Sequence, residues 1–293
     1  AGFNAEDALT PITKSHSFYW YSTYNVIVLV NTEDNTVVAP TDNADVVNNF
    51  ATDVAKTGDE QVLFSLASGF TYVKVEVKDA DAFATALEKG QSVTLTADIT
   101  TNKEIEIPAG ADVTVNLGGK TLTTTKNESS GRSDYAFNVY GSLTLENGTI
   151  NGRGVQTKAA GAVLTIKDGV TINAVDSNGG SCVWNEAGAT VVIEGGEFNV
   201  ATAPAGALVG AMALCNNGGT VTINGGTFKS AKGEGPYAVQ SRNGGTINFN
   251  AGTVISDRGC LCATTGAIIN VNGGTFTSNW EGGSAYVIYV EGA

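Results

Sequence analysis

One phrase recurs through the second half of the chain. It is clearest as GGTVTINGGTF at 218–228, with relatives GSLTLENGTI at 141–150, AVLTIKDGVTI at 162–172, ATVVIEGGEF at 189–198, GGTINFNAGTV at 244–254 and AIINVNGGTF at 267–276. A looser first copy, ADVTVNLGGKTL, stands at 111–122. A repeat of this length cannot bury its apolar face alone, so the chain is committed to stacking its copies on one another.

The glycine near the end of each copy sets the register: Gly118, Gly148, Gly169, Gly196, Gly226, Gly252 and Gly274, with spacings of 30, 21, 27, 30, 26 and 22 residues. Five residues earlier stand Val113, Leu143, Leu164, Val191, Val221, Ile247 and Ile269, and three earlier stand Val115, Leu145, Ile166, Ile193, Ile223, Phe249 and Val271. Both columns are apolar throughout. The position between them is Thr in most copies and otherwise Val192, Asn248 or Asn270, which is the period-two pattern of a short strand with one buried face. A further column follows the glycine: Ile150, Phe198, Phe228, Val254 and Phe276, with Ile172 one place later. The glycines between the columns mark a bend that favours residues tolerant of φ > 0.

Each repeat also carries a third apolar patch: YAFNVY at 135–140, SCVWN at 181–185, AMALCN at 211–216, YAVQS at 237–241, GCLCA at 259–263 and AYVIYV at 285–290. Three short strands per repeat describe one coil of a right-handed parallel β-helix, whose coils stack at about 4.8 Å so that like residues pile on like. The expected fold class is therefore mainly β, a single-stranded solenoid with three short strands per coil, and the columns are its core.

On these residues the chain resembles the pectate-lyase-like right-handed parallel β-helix superfamily, in the form found in bacterial surface proteins and phage fibre and decoration proteins. The resemblance is carried by residues 93–100, 105–122 and 141–150 and by the repeats through Gly274, and it spans about residues 78–293. It implies the fold, but this scaffold hosts lyases, hydrolases, adhesins and inert stalks alike, so it does not choose among them.

Residues 78–90, KDADAFATALEKG, read as a short amphipathic helix that plugs the N-terminal end of the core. Asp79 or Asp81 is its N-cap, Phe83 and Leu87 lie four apart, and Gly90 is its stop. The N-terminal AGF has neither an initiator Met nor a signal segment, so the start is expected to have been processed or trimmed. At the other end, residues 285–290 are in the phase of a third strand. The solenoid is expected either to stop in mid-coil or to be capped by another subunit.

Residues 1–77 lack the repeat and form a separate α+β module. One strand run is expected over 18–31 and others over 36–39, 61–66 and 70–77, with a helix over 42–56. Phe18, Tyr19, Trp20, Tyr21 and Tyr24 form an aromatic cluster, which is the core of this small domain, a docking face for a larger assembly or a glycan platform.

Composition narrows the partners. The 293 residues hold Lys+Arg 16 against Asp+Glu 29, a net charge of −13, which repels nucleic acid and anionic membrane surfaces. No apolar run is long enough for membrane insertion as a helix. With one His and no CxxC pair, neither a metal nor another cofactor is expected. Cys182, Cys215, Cys260 and Cys262 all fall in third-strand patches and read as buried thiols, with a Cys182–Cys215 bridge as the alternative.

The weak catalytic candidates are Glu146, Lys167 and Glu194, two residues before the register glycine and on the outward face. Two carboxylates two rungs apart would lie about 10 Å from each other, near the separation an inverting glycosidase uses. Lys167 stands between them, so a ladder of alternating charge explains the same pattern. Asn224, Asn250 and Asn272 continue the column as an amide ladder. Other carboxylates and the arginines, Glu186 and Arg242 among them, read as dispersed in different loops. The segments 151–160, 173–180, 200–210, 229–235 and 277–284 read as variable loops, where solenoids build binding surfaces. The last holds Trp280, close to Tyr286, the candidate ligand-binding pair for a sugar; the other reading of Trp280 is a loop anchor packed on its own coil.

The expectation is a non-enzymatic structural or attachment protein on a virion or bacterial cell surface, hence extracellular. It would form a homo-oligomer, a trimer or filament, or dock onto a larger assembly. The alternatives are a polysaccharide lyase or hydrolase of tailspike type, and an adhesin that binds a surface glycan.

Overall fold

A computed structural model describes residues 16–21, 26–31, 37–39, 63–66, 70–72, 75–125, 135–174, 181–200, 212–230, 237–279 and 286–291. The chain divides into two compact units, Ala1–Glu76 and Val77–Ala293. Among the described residues no helix is long and apolar enough to cross a membrane.

In the first unit, five antiparallel strands make one sheet. Its order is Val37–Ala39, Val26–Asn31, His16–Tyr21, Leu63–Leu66, Phe70–Tyr72. The run expected over 18–31 is two strands, not one: Tyr21 pairs with Val26 and His16 with Asn31, the register of a hairpin. The helix expected over 42–56 and Tyr24 lie outside the described residues.

The second unit is a right-handed parallel β-helix built from sheets of nine, eight and eight strands, called here sheets I, II and III. Sheet I runs from Val75–Val77 to Ile268–Val271, sheet II from Ile99–Thr101 to Thr275–Ser278, and sheet III from Ile105–Ile107 to Tyr286–Glu291. Both columns of sheet I point inward. From Val113 to Ile247 in one and Val115 to Phe249 in the other, every member is fully or almost fully buried.

The phenylalanines of the following column form a stack inside the coil. Phe198 and Phe228 lie with centroids 4.7 Å apart and rings 6° from parallel, and Phe249 meets Phe228 at 6.2 Å and Phe276 at 5.1 Å. The one-place offset of Ile172 disappears in space. Gly148 pairs with Val170, the extra residue being taken up in the turn at Asp168–Gly169, so Ile150, Ile172 and Phe198 remain in register.

Helix α1, Ala80–Glu88, is where the pattern places it. Of the two possible caps Asp79 serves, its carboxylate accepting from Ala82 N–H at 2.8 Å, and Gly90 turns the chain out at φ +70°. Phe83, Ala86 and Leu87 are buried, and Phe83 meets Phe137 edge-on at 6.1 Å, so the helix closes the first coil.

Another expectation fails in the solenoid. Residues 151–160 are not a loop: Arg153–Thr157 is a strand of sheet III, pairing with Tyr135–Val139 on one side and Val183–Glu186 on the other. Its single inward hydrophobe, Val155, gives too little apolar pattern to register as a strand. Gly154 lets it pack closely, since a Cβ there would overlap the Cys182 carbonyl.

Candidate functional site

Glu146, Lys167 and Glu194 do stand on the outer face of sheet I, but their side chains do not face a common groove. Lys167 Nζ lies 3.0 and 2.9 Å from the two carboxylate oxygens of Glu194, while Glu146 accepts from the Asn116 amide at 3.4 Å. Further along, Asn250 donates to Asn224 at 2.9 Å and Asn272 to Asn250 at 2.8 Å, the expected amide ladder. Asn270 donates to Asn248 at 2.8 Å in the neighbouring column. Sheet II carries its own: Asn173 donates to Asn151 at 3.0 Å and Asn199 to Asn173 at 2.9 Å. In a parallel stack a planar amide can donate up and accept from below, so identical side chains satisfy one another rung by rung.

Trp280 lies outside the described residues. Tyr286 begins the last strand of sheet III, and its ring meets Tyr289 at 5.4 Å; Tyr289 in turn stacks on Tyr237 at 5.5 Å and 19°. Phe18, Tyr19, Trp20 and Tyr21 fall in the strand His16–Tyr21, paired on both edges.

Sheet III brings together what the sequence left scattered. Val183, Leu214 and Val239 are in register on its inner face, and this places Glu186, Asn217 and Arg242 in one column on successive rungs. Glu186 and Arg242 are therefore not in separate loops; the third-strand patches had not been aligned on their inward hydrophobes. The Glu186 carboxylate accepts from Trp184 Nε1 at 2.8 Å, Gln156 Nε2 at 3.1 Å and Asn217 Nδ2 at 2.6 Å. Asn217 Oδ1 accepts from Arg242 Nε at 3.1 Å and from the Asn243 amide at 2.7 Å. The guanidinium of Arg242 lies 4.7 Å over the Trp184 ring, so this pair spans the intervening strand.

Below that pair, Cys215 is in register between Trp184 and Gln240 and has no exposed surface. Burial pushes its thiol up to about 12, and that of Cys182 likewise, so neither supplies a thiolate at neutral pH. All four cysteines are buried and none is bridged; the residue in register with Cys215 is Trp184, not Cys182. Inside the same strands runs a second, buried ladder: Thr157 Oγ1 donates to Asn185 Oδ1 at 2.9 Å, Asn185 to Asn216 Oδ1 at 2.9 Å, and Asn216 to Ser241 Oγ at 3.1 Å.

Among the described residues no group of three His, Cys, Asp or Glu side chains converges to hold a metal ion. The chemistry that sheet III presents is hydrogen bonding by amides, a carboxylate and a guanidinium around an indole. Compared with known proteins, the chain matches no family model, no curated protein and no solved structure.

Proposed function

We propose that the chain is a structural or attachment component displayed outside a virion or bacterial cell, with the β-helix as its shaft. In this reading residues 1–77, with Phe18, Tyr19, Trp20, Tyr21 and Tyr24, dock it into a homo-oligomer or larger assembly, and the solenoid belongs with the pectate-lyase-like β-helices. The observation that carries the reading is how the outer face of sheet I uses its polar groups. Lys167 holds Glu194 and the asparagines hold one another, so the column that most resembles a catalytic groove is occupied in joining coils.

A second reading, a glycan-binding adhesin, is favoured by the aromatic and polar outer face of sheet III. The test of the first is immunogold labelling of intact particles and cells of the source. Labelling on the outer surface is expected, and labelling only after lysis would overturn it. Incubation with a panel of polysaccharides, read as new reducing ends or unsaturated uronates, addresses the tailspike-type alternative; release of either would replace the structural reading with an enzymatic one.

A further inference from the structure

Of the chain's four arginines, Arg153 and Arg242 stand in strands of sheet III and Arg258 directly precedes one, while Arg132 lies outside the described residues. In a protein of net charge −13 such grouping on one of three sheets asks for a cause. Both arginines inside strands hold the guanidinium carbon over an aromatic ring, Arg153 5.0 Å from the Tyr135 centroid and Arg242 4.7 Å from that of Trp184. Contact with the ring narrows the positions open to the guanidinium before any ligand arrives, which removes part of the ordering cost of binding.

Arg242 is the informative one. Its Nε is taken by Asn217, and among the described residues its two terminal nitrogens have no hydrogen-bond partner and no carboxylate within 4.0 Å. The nearest carboxylate in its column, Glu186, is turned to Trp184, Gln156 and Asn217 instead. A half-buried guanidinium held over an indole, its two terminal nitrogens without a partner among the described residues of a protein with carboxylates in surplus, suits a planar anion brought from outside.

We propose that the outer face of sheet III binds an acidic saccharide, with Arg242 on Trp184 receiving the sugar carboxylate and Gln156, Glu186 and Asn217 facing its hydroxyls. Amides and a carboxylate beside an indole suit a ring rich in hydroxyls. This inference goes beyond the shaft reading and does not depend on it: surface display and glycan binding can each fail while the other stands.

The test is calorimetric titration of the full chain at low salt. The probes are oligogalacturonate, oligomannuronate and hyaluronate fragments, the methyl ester of the first, a dextran sulfate oligosaccharide, and poly-Glu. Millimolar or tighter binding of at least one carboxylated saccharide is expected, at least tenfold weaker for its ester where the ester was tested, and weakened at least tenfold by Arg242→Gln. Arg242→Lys should retain part of it, and Lys167→Gln on sheet I should leave it unchanged. Backbone amide shifts at Asn217 and Arg242 on titration would locate the contact, and circular dichroism of Arg242→Gln checks that the variant is folded. The proposal is overturned if no carboxylated saccharide binds at millimolar concentration, if Arg242→Gln binds as tightly as the parent, or if the sulfated saccharide or poly-Glu binds more tightly than every carboxylated sugar.

Discussion

The side-chain amide of Asn185 donates to Asn216 Oδ1 at 2.9 Å, with both residues wholly buried at the corner between sheets III and I. Asn216 passes the chain on to Ser241 and to the carbonyls of Gly219 and Thr246, so one side chain ties three coils. Leaving buried partners unsatisfied costs about 1–3 kcal/mol for each group orphaned. Asn216→Ala is expected to lower the unfolding free energy by about 2–4 kcal/mol on that basis, given partial repair by water. Urea unfolding followed by circular dichroism checks it; a loss within 0.5 kcal/mol, on the order of an ordinary surface substitution, would mean the ladder is incidental.

Phe228 sits in the middle of the aromatic stack, between Phe198 and Phe249, and is fully buried. Truncating a buried Phe typically costs about 3–5 kcal/mol, because neighbours close the cavity only partly. Phe228→Ala is expected within that range, and Phe228→Leu should lose less than half as much. The same unfolding measurement separates them. Equal losses for the two variants would mean that ring–ring geometry, not filled volume, is what Phe228 contributes.

How much of this was legible can be seen coil by coil. The inward columns of sheet I could be read because each strand carries two hydrophobes at a set distance from a glycine. The turn at Asp168–Gly169 hid one place of register, which pairing between Gly148 and Val170 restores. The strand Arg153–Thr157 was missed because stacking, not local pattern, makes it a strand: with Val155 as its one inward aliphatic side chain it is held by neighbours on both edges. The Glu186–Asn217–Arg242 column was missed for a related reason. Segments of unequal length precede each third strand, so counting from the glycines misaligns them. Only Val183, Leu214 and Val239, superposed, bring the three polar residues together.

Lys167 and Glu194 form their ion pair with side chains 40% and 44% exposed, so solvent and salt weaken it. Lys167→Ala is therefore expected to cost less than about 1 kcal/mol. Lys167→Glu is a sharper probe, because it aligns Glu146, residue 167 and Glu194 as three carboxylates on adjacent rungs. Its melting temperature should fall more than that of Lys167→Ala at low salt and recover as sodium chloride is raised. A deficit insensitive to salt would contradict an electrostatic role for this column.

Gly154 takes no left-handed conformation; its constraint is distance, since a Cβ would overlap the carbonyl oxygen of Cys182 and crowd the Ile172 side chain. The clash is with backbone on the adjacent coil, where relief means separating two rungs and lengthening the bond from Gly154 N–H to the Ser181 carbonyl, now 3.2 Å. Gly154→Ala is expected to destabilise by about 1–3 kcal/mol, the ordinary range for overpacking. Gly110 offers the contrast, at φ +80° with nothing near its Cβ position, so Gly110→Ala meets backbone strain without a clash. Amide hydrogen exchange checks the distinction: Gly154→Ala should speed exchange in the strands on either side, and Gly110→Ala should not affect them.

Burial raises the Cys182 and Cys215 thiols from 9.0 to about 12. The folded state therefore holds its protons to higher pH than the unfolded chain does. The stability tied to neutral, buried thiols is fully present below about pH 9 and is lost as pH rises from there towards 12. Within that window each thiol removes roughly 1.4 kcal/mol per pH unit, the free energy of one pKa unit. Denaturant midpoints measured from pH 7 to 10.5 should fall above pH 9, and Cys182→Ala with Cys215→Ala should reduce the slope of that limb, with Cys260 and Cys262, also raised by burial, carrying the remainder; the plateau falls too, because each change opens a small cavity. A slope unchanged in the double variant would assign the alkaline loss to other groups, with Cys260 and Cys262, raised by burial from the same starting value, as the next to test.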